Sequence, residues 1–389
     1  MYRDSYVKID VDAFRNNIRE IKKEYSDYKY YFGVVKANNY GHGEYLVNAM
    51  IEEGINYLCV SSLEEAISVR KYNSEIPILC FGYIDPKDFD VVSENNITIS
   101  IISYDYFNKI KDTTYKIKAH IKLNTGMNRL GLKDKNEVKE VVDTLKGSNI
   151  YIEGIYTHFS TSGVQDTNWD KQDYNFSEYT SLIDLNEIEI VHLYNSMALV
   201  RHKKNKYANG VRLGLVMYGF SYNMNISDKK LKLFNLKKMI KLKGKKISDT
   251  TLTNNLKLKK VMSIYSKVIS INTLKKGELV GYDEAFKATK DTLIATIEIG
   301  HADGITKYFD KVKIGGKLYN NVAVCMDYIM VEVDNTVKVG DEVTIIGDEL
   351  LIATAAKNAN DSVHHMLVSI SNRLPRVYVE DNVKNVIKY

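Results

Sequence analysis

Between about Val7 and Phe220 one unit recurs: a short β-branched or aromatic run, a polar turn, then a stretch with helical spacing. The runs are Phe32 to Lys36, Tyr57 to Ser61, Ile78 to Phe81, Ile97 to Ile102, Ala119 to Leu123, Gly154 to Thr157, Val191 to Tyr194 and Gly210 to Gly214. Eight strands alternating with helices in one domain-sized stretch predict an α/β fold, a closed (β/α)8 TIM-like barrel. Among the helices, DAFRNNIREIKKEY sets Phe14, Ile18 and Ile21 on one face, and Ser62 is placed to cap the helix in SLEEAISVRKY.

The rhythm stops after Gly219. A basic segment, DKKLKLFNLKKMIKLKGKK, and a polar stretch, ISDTTLTNNLK, follow, which predicts a domain boundary. Leu233, Leu236 and Ile240 have helical spacing among lysines, which suits a connecting helix packed on its own protein better than one lying on an acidic partner or membrane surface. From Lys260 on, short alternating runs with glycine turns (KVISINT, TLIATIEIG, NVAVC, GDEVTIIG) predict a mainly antiparallel β domain. The expected organisation is a barrel over 8–221, a basic connection over 222–258 and a β domain over 259–389, with residues 1–7 packing on the last.

Composition excludes several classes. Apolar residues at 44% and charged residues at 26% are globular values, and no apolar stretch is long enough to span a bilayer. MYRDSYVKID lacks the marks of a secretion signal, so the cytoplasm is expected. Cys59, Cys80 and Cys325 show no paired spacing, which argues against a disulfide framework or zinc ribbon. A net charge of +5 from 54 basic and 49 acidic residues is too mild and too mixed for a nucleic-acid surface.

In such a barrel the site lies at the carboxyl ends of the strands. There the sequence places Lys36 after the first strand, Lys122 and Arg129 after the fifth, His158 after the sixth, Ser196 after the seventh, and Arg212 with Gly214 at the eighth. A lysine ending an apolar strand is partly desolvated, which lowers its pKa and suits Schiff-base chemistry with an aldehyde. Gly41, Gly43, Ser196 and the Gly214 turn offer donors for a phosphate, pointing to pyridoxal phosphate among aldehyde cofactors. Singly, each has a plainer explanation: a lysine after a strand often makes a barrel-mouth salt bridge, and glycines mark turns.

VVKANNYGHG, KLNTGMNRLGL, YTHFSTSG, NSMAL, VRLGLVMYG, GELVGYDE, IGHADG, VCMDYIMV and SNRLPRVY resemble, in this order, the motifs of alanine racemases from residue 34 to residue 378. The resemblance implies a pyridoxal-phosphate-dependent amino-acid racemase interconverting L- and D-alanine, the D-product supplying peptidoglycan. It makes Lys36 the cofactor-holding lysine and the base on one face, and Tyr282, from the second subunit of a homodimer, the base on the other. Tyr40, Ser196, Gly214 and Leu215 match phosphate-contacting positions, Arg212 the residue facing the pyridine nitrogen, and His158 one stacked near the ring. Arg129 and the Met326 backbone match substrate-carboxylate contacts, and Lys122 matches a lysine that is carboxylated in many members. Arginine keeps its proton, so Arg212 leaves the ring nitrogen unprotonated and the ring a weaker electron sink, which suits racemisation over transamination. Tyr282 needs a lowered pKa, for which nearby cations, His158 among them, are candidates.

Two departures stand out. His301, in GHADG, and His364, counted back from Arg373, occupy positions where the family has entrance tyrosines. Imidazole is smaller and more polar than phenol, so a substrate other than alanine, such as serine or a charged amino acid, is a second expectation beside drift within an ordinary alanine racemase. No carboxylate spacing makes His301 and His364 a metal site, and His42, His120, His192, His202 and His365 read as structural. Arg212 speaks against a basic-amino-acid decarboxylase. The β domain with Tyr282 and Met326 speaks against a non-catalytic cofactor carrier.

Overall fold

The computed structural model describes residues 3–163, 167–220 and 255–387. Those within Met1–Asn16, Asn38–Leu46 and Lys259–Tyr389 form one compact unit, and those within Asn17–Ala37 and Val47–Leu258 the other. Most of the basic connection, residues 222–254, lies outside the described residues. No helix among them is long and apolar enough to cross a membrane.

The first strand, β1 (Tyr6–Asp10), stands outside the barrel. Eight parallel strands close it: β2 (Tyr30–Val34), β3 (Tyr57–Val60), β4 (Ile78–Cys80), β5 (Ile97–Ile101), β6 (Ile117–Lys122), β7 (Ile150–Tyr156), β8 (Ile190–Asn195) and β9 (Gly210–Leu213), with β2 paired to both β3 and β9. β3 and β4 are buried along their whole length. Their near-continuous apolar sequences follow from being covered on both faces.

In the helix Val11–Glu24, Phe14, Ile18 and Ile21 are fully buried. Each such side chain contributes roughly 1.5–3 kcal/mol relative to exposure. Ser62 caps the helix Leu63–Arg70, its hydroxyl accepting from the Glu65 amide. The Glu65 carboxylate, three residues on, does not close a capping box on Ser62. It accepts from the Ser61 amide at 2.6 Å and the Ala37 amide at 2.8 Å.

The second unit is built on a nine-stranded sheet. To β1 it adds β10 (Met262–Leu274), β13 (Thr292–Ile297), β14 (Lys311–Ile314), β15 (Lys317–Val324), β16 (Ile329–Val333), β17 (Glu342–Ile346), β18 (Arg376–Glu380) and β19 (Val383–Ile387), while β11 (Leu279–Val280) and β12 (Phe286–Lys287) form a separate hairpin. Pairing is antiparallel except between β1 and β18. Both edges of β1 are taken by β10 and β18, which is why residues 8–16, expected in the barrel domain, group with the β unit.

The stretch 38–46 does so as well, and its backbone is unusual. β2 ends at Val34, two residues before the expected end at Lys36, because Lys36 opens a helical turn, Lys36–Tyr40. Ala37, Asn38, Asn39 and Tyr40 have φ of 51°, 52°, 52° and 52°, so this turn is left-handed. Asparagine tolerates that conformation, whereas Ala37 and Tyr40 cost about 1–2 kcal/mol each. Local bonds hold it: Asn39 Nδ2 donates to the Gly43 carbonyl at 2.8 Å, and the Gly43 amide to the Asn38 carbonyl at 3.0 Å. The Gly43 amide, a candidate phosphate donor by sequence, is thereby committed to the turn.

Within the β unit, the fully buried Arg376 guanidinium donates to the carbonyls of Gly41, Ile370, Ser371 and Leu374. Arg376→Leu leaves these acceptors unpaired, at a cost of about 3–5 kcal/mol. The expected result is a lower urea midpoint with an unchanged slope.

Candidate active site

Arg212, near the end of β9, is buried and fixed by four bonds. NH1 donates to His192 Nδ1 at 2.8 Å and to the His192 carbonyl at 2.7 Å, and NH2 to the carbonyls of Thr157 at 2.8 Å and Leu193 at 3.0 Å. Four of the five guanidinium N–H groups thus have protein acceptors. Nε–H has none among the described residues. Burial lowers the Arg212 pKa only to about 10, so the group stays a cation and a pure donor at neutral pH.

β9 ends at Leu213, and Gly214 precedes a 3-10 turn, Leu215–Tyr218, where a longer strand was expected. The Gly214 amide donates to Ser196 Oγ at 2.8 Å, and Ser196 opens the short helix after β8. With its oxygen accepting from Gly214, the Ser196 hydroxyl has its own proton to donate. The Leu215 amide, first in its turn, has no partner inside it. This set suits an anion such as a phosphate.

The rest of the mouth is cationic. Burial, then the nearby Arg129, lowers the Lys36 pKa, with Glu65 opposing. Lys122, the last residue of β6, is buried, its ammonium 4.6 Å from the Tyr156 ring centre, and burial followed by Arg212 and Arg129 lowers it to about 7. The exposed Arg129 lies in a loop that folds back on β6 through the Leu132 amide on the Lys122 carbonyl, 2.9 Å, and the Asn124 amide on the Leu132 carbonyl, 2.8 Å. Gly131, φ 121°, makes that return, since a Cβ there would sit 2.6 Å from the Asn124 nitrogen. His158 is pushed well below its ordinary range by burial and then by Arg212, Lys122, Arg129 and Lys36. It is neutral at neutral pH, so it is not among the cations that could lower a tyrosine pKa, contrary to expectation.

The remaining expected site residues belong to the β unit. Tyr40 and His364 are neighbours, their ring centres 5.7 Å apart. His301 opens a 3-10 turn tied to the β15–β16 connection, its amide donating to the Cys325 carbonyl and that of Ala302 to the Met326 carbonyl. His301 and Met326 are thereby brought together. Tyr282 opens another such turn and is 73% exposed, and Met326 is 60% exposed. No group of three His, Cys, Asp or Glu side chains fit to hold a metal ion occurs among the described residues.

Four contributors carry no distinct signal in the sequence. Glu65 was readable only as part of a helix start, yet its carboxylate ties down the peptide after Lys36. Thr157 and Leu193 act through carbonyls, which residue type does not encode. His192, read as structural, is the acceptor that orients Arg212. His202 and His365 do have structural places, His202 stacked on Trp169 at 3.3 Å and His365 paired with Asp361.

Residues 9–222 match the family described as alanine racemase, N-terminal domain, and residues 261–378 that described as alanine racemase, C-terminal domain. The chain is 30% identical over 392 residues to alanine racemase 1 of Bacillus subtilis (strain 168), covering 98% of this chain and 94% of that one. To alanine racemase 1 of Clostridium acetobutylicum it is 32% identical over 403 residues, covering 97% and 96%. Among solved structures it is similar to the alanine racemase from Bacillus anthracis with bound L-Ala-P, at TM-score 0.85 and 30% identity, covering 100% of this chain and 98% of that one. For the alanine racemase of Clostridium difficile 630 the values are 0.86, 29%, 100% and 99%.

Arg129 is the second cause of the lowered Lys36 pKa, behind burial. Arg129→Leu should therefore raise the Lys36 pKa while leaving it below that of a free lysine. Following reductive methylation of Lys36 against pH in the cofactor-free protein checks this.

Proposed function

Because the chain belongs to the alanine racemase family and is an amino-acid racemase of that type, we propose that it interconverts L- and D-alanine with pyridoxal 5'-phosphate in a shared-site homodimer. The observation that carries the cofactor assignment is the single uncommitted donor of Arg212, Nε–H, amid a cluster of cations. A pyridine nitrogen accepts one hydrogen bond, and a phosphate and a carboxylate supply the negative charge the cluster lacks.

When bound, pyridoxal phosphate supplies an aldehyde that condenses with amines and a ring that withdraws electrons from the α-carbon. Lys36 Nζ is the nucleophile toward that aldehyde, its lowered pKa raising the neutral fraction. Ser196 Oγ–H and the Gly214–Leu215 turn, with Tyr40 and His364, hold the phosphate. His158 packs near the ring as a neutral imidazole. Arg129 and the Met326 backbone, with His301 beside it, receive the substrate carboxylate. Lys36 Nζ takes or returns the α-proton on one side and Tyr282 Oη on the other, so either enantiomer loses a proton to one base and gains one from the other. The exposed Tyr282 is the residue each subunit lends to its partner. The reaction belongs to the cytoplasm, supplying D-alanine to peptidoglycan.

Lys122 is the candidate for carboxylation. With a pKa of about 7 it has a free lone pair near neutrality, which attacks CO2 while the nitrogen loses a proton. The product is an anion beside Arg129 and Arg212. A second reading concerns the substrate: His301 and His364 stand at entrance positions where the family has tyrosines, and both are exposed, which favours a larger or more polar amino acid.

Purified protein with added cofactor should racemise alanine in a panel with serine, lysine and glutamate, and Lys36→Ala should abolish this. A better rate with another member of the panel replaces alanine as substrate. Mixed Lys36→Ala and Tyr282→Phe preparations should regain part of the activity, since a hybrid dimer has one site with both native residues. In 13C-bicarbonate, one carbamate carbon signal should appear and vanish in Lys122→Ala.

A further inference from the structure

The barrel interior holds a file of polar groups behind Arg212. His192 Nε2 lies 2.9 Å from His120 Nδ1, and His120 Nε2 lies 3.2 Å from Glu153 Oε2. Glu153 also accepts from Tyr57 Oη at 2.6 Å and from Lys118 Nζ at 2.6 Å. Barrel interiors are ordinarily filled by branched apolar side chains. Buried polar networks are tolerated only when every member is satisfied.

Chemistry assigns every proton in this file. Arg212 NH1 only donates, so His192 Nδ1 accepts and the neutral ring carries its proton on Nε2. That proton faces His120 Nδ1, which must accept, leaving the His120 proton on Nε2, aimed at the carboxylate. All three bonds therefore point the same way, from guanidinium to Glu153. Burial lowers the pKa of both histidines, in keeping with neutral rings. Because Arg212 holds its protons, the file orients groups and does not conduct protons toward the mouth.

The space around the file is shaped for it. A Cβ on Gly154 would lie 2.7 Å from the His120 ring, and one on Gly210 3.0 Å from His192 Cβ. His192 is stacked between Phe32 and Tyr156, with ring centres 4.6 Å away on each side. The rings cannot turn freely, so the tautomer decides which way each N–H points.

We propose that His120 and Glu153, acting through His192, are positioning residues that fix the guanidinium of Arg212 so that its Nε–H points at the cofactor ring. The inference rests on the reading that Arg212 faces the pyridine nitrogen. A histidine in the other tautomer would turn an N–H toward another N–H, and the guanidinium would have to move away.

The test begins without variants. Nitrogen-15 histidine spectra of the cofactor-free wild type should show two neutral rings protonated on Nε2 that do not titrate between about pH 5 and 9. A proton on Nδ1 of either ring, or titration, overturns the file. In Glu153→Ala the tautomers should become mixed, the absorbance of bound cofactor should shift, and kcat should fall by about tenfold to a hundredfold with little change in KM. Glu153→Gln, which keeps an acceptor for His120, should restore the tautomers and most of kcat. If Glu153→Ala leaves tautomers and absorbance as they were and only lowers stability, the positioning role is overturned. Arg212→Gln separates the premise: if it leaves the cofactor absorbance unchanged, Arg212 does not face the ring, whatever the histidines show.

Discussion

A guanidinium enclosed in a protein interior keeps its charge, so every N–H it presents must meet an acceptor or a ligand. Arg212 meets that constraint with two carbonyls at the ends of neighbouring strands and with both the carbonyl and the ring of His192. The register of β7, β8 and β9 follows from the same requirement, since a one-residue slip would turn Arg212 to the other face of the barrel wall. Once four donors are committed, the direction of the fifth is determined. The cationic character of the mouth follows too. Arg129 lowers the proton affinity of Lys36, Arg212 and Arg129 lower that of Lys122, and all four cations lower that of His158, and an anionic ligand relieves the repulsion.

The second constraint is local. Four successive left-handed residues after Lys36 are a costly conformation, and such strain persists only where the surroundings over-determine it. Here the Ala37 amide is held by Glu65, and the Asn38–Gly43 segment closes on itself through main-chain and side-chain bonds, among them His42 to Asn39. The turn reverses the chain immediately after Lys36, so the lysine stays at the strand end while Tyr40, four residues later, stands against His364 in the β unit. A right-handed continuation would carry the residues after Lys36 elsewhere.

Much of the molecule was legible from residue patterns. The eight barrel strands, the buried face of the helix Val11–Glu24 and the Ser62 cap all lie where apolar periodicity and capping chemistry put them, because these depend on neighbours within a few positions. The motifs carrying the family resemblance were legible for a related reason: lysine, arginine and hydroxyl side chains at strand ends have few ways to be used. The strand ends were less legible. β2 and β9 stop one or two residues short of the apolar run, because turn geometry and not hydrophobicity ends them.

By itself the sequence determined the α/β barrel followed by a β domain, the lysine, serine and arginine at the barrel mouth, and the family. Only the tertiary structure decided that β1 belongs to the nine-stranded sheet, that the turn after Lys36 is left-handed, that His158 is neutral, and that His192 and His120 are linked to Arg212 and not merely core residues. The physical reason is the same in each case. Strand partners, backbone hand, proton affinity and tautomer are set by groups far apart in the chain, Glu153 standing 33 residues from His120 and His120 72 from His192, and local sequence does not encode what will be packed against it.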